Sequence, residues 1–246
     1  MMRMTGKKAL VTGGSRGIGA ATALRLAQEG ADVAITYERA RDKAEAVVGR
    51  IRALGRKAIA LQADNADAEA LKTAVEGAAR ELGGLDILVN NAGIWHYGEV
   101  GGWNLQEIDA ILAVNVRAVI IASQTAAAYL PEGGRIITTG SCLAERVTEP
   151  GIALYAMSKA ALVGFTKGLA RDLGPRGITV NVVHPGSTDT DMNPAAGEQA
   201  EEQRARMAIP RFGTPEDIAG LIAYLASEEG RFVTGAGLTI DGGVNS

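Results

Sequence analysis

Lys8-Ala9-Leu10-Val11-Thr12-Gly13-Gly14-Ser15-Arg16-Gly17-Ile18-Gly19-Ala20 runs from a short apolar segment, through a glycine-rich turn, into a helical pattern. An apolar run this short, bounded by a turn, reads as a buried strand. From Ile18 to Gln28 the apolar residues recur at helical spacing, so the turn opens a helix. The glycines are spaced G-x-x-x-G-x-G, which lets the backbone reverse sharply and lets another group approach it closely. A helix N-terminus reached in this way presents unpaired N–H groups and the positive end of its dipole, an arrangement suited to a pyrophosphate. Gly13, Ser15, Arg16, Gly17, Ile18 and Gly19 are therefore candidate cofactor-binding residues.

The same alternation continues outward. Further strands are expected at Asp32 to Tyr37, Lys57 to Gln62, Leu85 to Asn90, Arg135 to Thr139, Thr179 to His184 and Gly237 to Ile240. Helical patterns fill the intervals: Arg41 to Leu54, Ala68 to Leu82, Leu105 to Tyr129, Ile152 to Asp172 and Pro215 to Ala226. Strand–helix alternation implies an α/β fold with parallel strands and helices on both faces. Ile87-Leu88-Val89 is apolar at consecutive positions, as a strand covered on both faces requires. Right-handed crossovers then make the sheet doubly wound. No linker or repeat divides the chain, so residues 1–246 read as a single dinucleotide-binding domain that includes the catalytic site. Pro185 to Phe212 breaks the rhythm with three prolines, two glycines and a polar, helix-compatible stretch from Glu198 to Met207. Residues 185–212 read as a substrate loop or lid, against the plainer alternative of a surface loop.

Composition narrows the function classes. Apolar residues make up 47% of the 246, enough for a sizeable core, and the net charge of −3 argues against nucleic-acid binding through a basic surface. A single cysteine, Cys142, excludes an intrachain disulfide and a cysteine-rich metal site, and His96 and His184 stand apart without other ligands nearby, so no metal is expected. Met1 to Lys8 lacks the apolar core of a signal peptide, and the apolar runs are interrupted, as at Arg117. A cytoplasmic protein without a membrane span is expected.

The chemistry concentrates in Tyr155-Ala156-Met157-Ser158-Lys159. Residues four apart on a helix share a face, so Tyr155 and Lys159 point the same way. A phenol titrates near pH ~10, and a neighbouring ammonium favours its ionised form. Ser141 ends the fifth strand, at the carboxyl edge where doubly wound sheets bind ligands, and either hydrogen-bonds a substrate oxygen or caps the next element. Asn115, flanked by Val114 and Val116 within a long helical pattern, points to a buried role such as a kink or a proton relay, or to an ordinary buried amide. Trp95, His96 and Tyr97 follow the fourth strand and either line a pocket or pack a loop. Cys142 has no activating base and reads as a packing residue. Gly13-Gly14-Ser15-Arg16-Gly17 also satisfies the G-x-S-x-G elbow of hydrolases, but too little chain precedes Ser15 to build the rest of an oxyanion hole.

Cofactor choice rests on the end of the second strand. An acid there binds the ribose 2′-hydroxyl of NAD(H), and a cation nearby favours the 2′-phosphate of NADP(H). Tyr37 occupies the position, with Arg16 in the turn and Arg39 and Arg41 just beyond. Glu38 competes if the register shifts by one. NADP(H) is favoured over NAD(H).

Taken together, these motifs resemble the short-chain dehydrogenase/reductase family over essentially the whole chain. The resemblance rests on Thr12 to Gly19, Asp64, Asn90-Asn91-Ala92-Gly93, Asn115, Ser141, Tyr155-x-x-x-Lys159 and Pro185-Gly186. It implies a Rossmann-type sheet of seven parallel strands in the order 3-2-1-4-5-6-7 and a homotetramer. It also implies hydride transfer between a nicotinamide cofactor and a small carbonyl compound or secondary alcohol. By the same resemblance Tyr155 is the acid–base, Lys159 its activator and ribose anchor, Ser141 the carbonyl binder and Asn115 the relay support. Asp64 and Asn65 flank the adenine, Asn91, Ala92 and Gly93 lie along the cofactor, and Pro185, Gly186 and Thr188 lie near the nicotinamide. The chain is similar both to the 3-oxoacyl-(acyl-carrier-protein) reductase branch and to the biofilm-dispersal mediator branch. The latter implies an alternative: a regulatory protein that binds a cyclic dinucleotide with little or no catalysis.

Overall fold

The computed structural model describes residues 2–246. Seven strands form one sheet: β1 Lys8–Val11, β2 Asp32–Tyr37, β3 Ala58–Gln62, β4 Ile87–Asn90, β5 Arg135–Thr139, β6 Thr179–Pro185 and β7 Gly237–Ile240. Their order is β3-β2-β1-β4-β5-β6-β7, and every neighbouring pair is parallel. The order reverses between β1 and β4, which opens a crevice at the carboxyl ends of those strands.

Helices cover both faces. On one side α1 (Gly17–Gln28), α2 (Arg41–Ala53) and α8 (Pro215–Ala226) close over Val11, Val33, Ile35 and Val89. On the other, α3 (Ala68–Leu82), α5 (Ala118–Ala127) and α6 (Ala153–Leu173) close over Leu10, Leu88, Ile136 and Val180. Alternate residues of each strand thus enter opposite cores, and each buried Leu or Ile contributes on the order of 2 kcal/mol. Local signals agree with the packing. Asp67 caps α3 through the amides of Glu69 and Ala70, and Gly83 ends that helix at φ 77°. Thr214 and Asp217 form a capping box on α8, with Pro215 in its first turn.

The expected helix from Leu105 to Tyr129 is not one α-helix. It comprises α4 (Leu105–Leu112), a π turn at Ala113–Arg117 and α5. The π turn inserts an extra residue and carries Asn115 inward at its centre, which a purely α-helical pattern does not anticipate. Within Leu105–Ala127 an 18-residue window reaches mean hydropathy 1.5, which by length and composition alone would suffice to cross a bilayer. Here it packs against α3 and α6. The helical stretch expected from Glu198 to Met207 is only α7, Ala200–Ala205.

Candidate active site

The glycine-rich turn is built for close approach. Gly13 and Gly17 adopt φ +64° and +53°, values that favour glycine. A Cβ on Gly14 would sit 2.6 Å from Ile35 Cβ, and one on Gly19 would strike the Gly13 carbonyl and the Asn91 amide. The turn is held from outside: Thr36 Oγ1 accepts the Gly13 N–H at 3.0 Å, and Asn91 Nδ2 donates to the Thr12 and Gly13 carbonyls at 2.9 and 3.2 Å. Arg16 makes no side-chain cap on α1, so that N-terminus keeps its free N–H groups facing the cleft.

This cleft has a volume of about 460 Å3. Gly13, Ser15, Arg16, Gly17, Ile18, Gly19, Tyr37, Asp64, Asn65, Asn91, Ala92, Gly93, Pro185, Gly186 and Thr188 all line it, and so do Ser141, Tyr155 and Lys159. Two expected residues do not. Asn115 is buried beneath the wall, and Arg39 points away, its side chain 90% exposed and paired with Glu38 at 2.7 Å. Glu38 and Tyr37 both face the cleft, because the strand ends between them.

The i,i+4 spacing on α6 places Tyr155 and Lys159 side by side, Lys159 Nζ lying 5.7 Å from the centre of the tyrosine ring. Lys159 donates to the Thr139 carbonyl at 3.0 Å. Trp95 covers the other side of Tyr155, ring centres 4.5 Å apart, so the loop after β4 walls the pocket. The expected acidification of Tyr155 by its neighbour is not what this arrangement produces. Burial pushes the phenol up to about 12, with the Ser141 hydroxyl pulling it partway back. Burial likewise holds the Lys159 amine down at about 8. Desolvation dominates at both groups.

Of the two readings made of Ser141, the cap is present in the fold. Its Oγ accepts the Leu143 N–H at 3.2 Å, capping the short 3-10 helix Cys142–Ala144, and its hydroxyl lines the cleft beside Tyr155. Asn115 is fully engaged: Oδ1 accepts the Ile94 N–H at 2.9 Å, and Nδ2 donates to the Ile94 carbonyl and to Ser158 Oγ, each at 3.0 Å. It clamps the loop after β4 onto α6. Its Oδ1 and Lys159 Nζ flank Gly93, each 3.3 Å from where a Cβ would stand. Cys142 is buried, and burial raises its thiol to about 11, consistent with a packing role.

Some contacts had no sequence signal. Asp191, from the segment after β6, reaches back so that one carboxylate oxygen lies 3.4 Å from Arg16 Nη1 and 3.2 Å from Lys43 Nζ. Arg206 and Glu149 pair at 2.8 Å across the far wall. His184 accepts the Ser141 N–H. These partners stand 175, 57 and 43 positions apart, so only the fold brings them together. Among the described residues no group of three or more His, Cys, Asp or Glu is arranged to hold a metal ion.

Comparison with known proteins agrees with this geometry. The family profile described as enoyl-(acyl carrier protein) reductase matches residues 13–245. The cyclic-di-GMP-binding biofilm dispersal mediator protein of Escherichia coli K12 is 48% identical over 242 residues, 98% of each chain. A 3-oxoacyl-(acyl-carrier-protein) reductase of Staphylococcus aureus is 41% identical over 246 residues, 99% of each chain. The crystal structure of a short chain dehydrogenase from Burkholderia cenocepacia J2315 in complex with NADP superposes at TM-score 0.98. It is 64% identical, over 99% of this chain and 100% of that one.

Proposed function

Because the chain belongs to the short-chain dehydrogenase/reductase family, we propose that it is an NADP(H)-dependent oxidoreductase that interconverts a small carbonyl compound and a secondary alcohol. One observation carries the reading: Ser141, Tyr155 and Lys159 share a single cleft with the glycine-rich turn. The turn fits a dinucleotide, since Gly19 has no room for a Cβ and the start of α1 is uncapped by any side chain. When bound, the nicotinamide supplies or accepts the hydride. Arg16 and Tyr37 at the ribose end, and the NADP bound to the Burkholderia relative, support the phosphorylated cofactor.

In this reading Ser141 donates its hydroxyl proton to the substrate oxygen and holds it against Tyr155. Tyr155 gives its proton to that oxygen during reduction and takes it back during oxidation. Lys159 holds positive charge beside the phenol and favours phenolate, which burial otherwise opposes. Asn115 supports the relay by fixing the Ile94 loop and the π turn. Residues 185–212 form the substrate loop of a domain that comprises the whole chain. Exposed Ile120, Tyr129 and Met157 on α5, its C-terminal end and α6, with Phe232 before β7, supply apolar faces for a homotetramer. A cytoplasmic setting suits the one cysteine, a free thiol.

The printed name of the Escherichia coli relative favours a second reading, a cyclic-dinucleotide-binding regulator. A ketone panel run in parallel with NADPH and NADH decides between them. Turnover with NADPH, abolished in Tyr155→Phe while cofactor binding by calorimetry survives, is the expected result. Silence across the panel together with tight binding of a cyclic dinucleotide would establish the regulator instead.

A further inference from the structure

We propose that His184 is a positioning residue for Ser141. The inference rests on the reading of Ser141 as the group that holds the substrate oxygen. His184 lies in the buried run of β6 and is 0% exposed. Its Nδ1 accepts the Ser141 backbone N–H at 3.3 Å. The space for the ring is made on both sides by glycine: a Cβ on Gly140 would lie 2.5 Å from Nδ1, and a Cβ on Gly237 would lie 2.9 Å from Nε2. Nε2 finds no partner among the described residues. The imidazole is therefore lodged between two strands for the one bond that Nδ1 makes.

That bond falls where the sheet runs out. Thr139 O accepts Lys159 Nζ, Gly140 N–H bonds the Val183 carbonyl, and Ser141 N–H bonds His184. Three consecutive residues are tied in turn, and Ser141, at φ −165° and ψ 148°, then hands the chain to the 3-10 helix. Its hydroxyl direction depends on that backbone angle. An accepting Nδ1 requires the neutral Nε2–H tautomer. Burial lowers the ring's pKa below its ordinary value and Lys159 acts in the same direction, against Glu145 and the Ser141 backbone, which raise it.

His184→Leu removes the acceptor at similar bulk, whereas His184→Asn places an amide oxygen near the Nδ1 position. The Leu variant is expected to lower kcat on the order of tenfold with KM for NADPH unchanged, and the Asn variant to recover most of it. In a Ser141→Ala background, His184→Leu is expected to cost nothing further, because the group being positioned is gone. A loss of equal size in both backgrounds, or no loss in wild type, would overturn the proposal. If Ser141→Ala is itself without effect, the reading of Ser141 fails instead. Should the Leu variant not fold, imidazole nitrogen NMR of the wild type still decides. The chain has two histidines, and the Nδ1–H tautomer at His184 would rule the proposal out.

Discussion

Replacing Lys159 by methionine should make the protein more stable and inactive. The lysine is buried, and burial lowers its amine from 10.5 to about 8. Protonating it in the fold therefore costs about 3 kcal/mol more than in the unfolded chain. Methionine of similar length removes that cost but leaves the Thr139 carbonyl without its 3.0 Å donor. The lost bond gives back about 1 kcal/mol, so a net gain of about 2 kcal/mol is expected near neutrality. The pH dependence identifies the cause. Below pH about 8 both folded and unfolded wild type carry the proton, and the full penalty is present. Between about 8 and 10.5 the unfolded chain retains a proton that the folded chain has released, so wild-type stability rises with pH relative to the variant. Urea unfolding of both proteins at a series of pH values measures the difference. The variant's advantage should shrink to nearly nothing around pH ~10. An advantage independent of pH, or a variant less stable at neutrality, would refute the argument that desolvation dominates at this site. Turnover should fall at least ~100-fold, since the charge beside Tyr155 is lost.

Two further outcomes follow from contacts outside the catalytic group. Asp191→Asn releases Arg16 and Lys43 from a carboxylate that competes with a 2′-phosphate, so KM for NADPH should fall a few-fold and become more salt-dependent, with KM for NADH little changed; parallel titrations at two ionic strengths check this. Sedimentation analysis should give a tetramer, and an aspartate at Phe232, which is 98% exposed in the single chain, should shift it toward smaller species; a wild-type monomer would contradict the assembly.

The order of elements was legible because burial on both sheet faces imposes it residue by residue. Ile87-Leu88-Val89 has apolar neighbours above and below, and the sequence shows that directly. Tyr155 and Lys159 were legible because helical periodicity alone fixes their common side. The glycine turn was legible because an L side chain is strained at Gly13 and Gly17, and a Cβ has no room at Gly19. Arg39 lies outside the cleft lining because a charge next to a strand end is free to turn toward either solvent or cleft, and here it pairs with Glu38 in solvent.

What the chain determined by itself was local: periodicity, strain and capping act over a few residues, and they specify the parallel sheet, the turn and the shared face of α6. What only the tertiary structure decided depends on groups distant along the chain meeting in a place sealed from water. The π turn seats Asn115 where the Ile94 N–H donates to its Oδ1 and the Ile94 carbonyl and Ser158 Oγ accept from its Nδ2. The protonation states of Tyr155 and Lys159 are set by how much water the closed fold leaves around them. The Ser141–His184 bond joins two strands, and no one-dimensional pattern carries it.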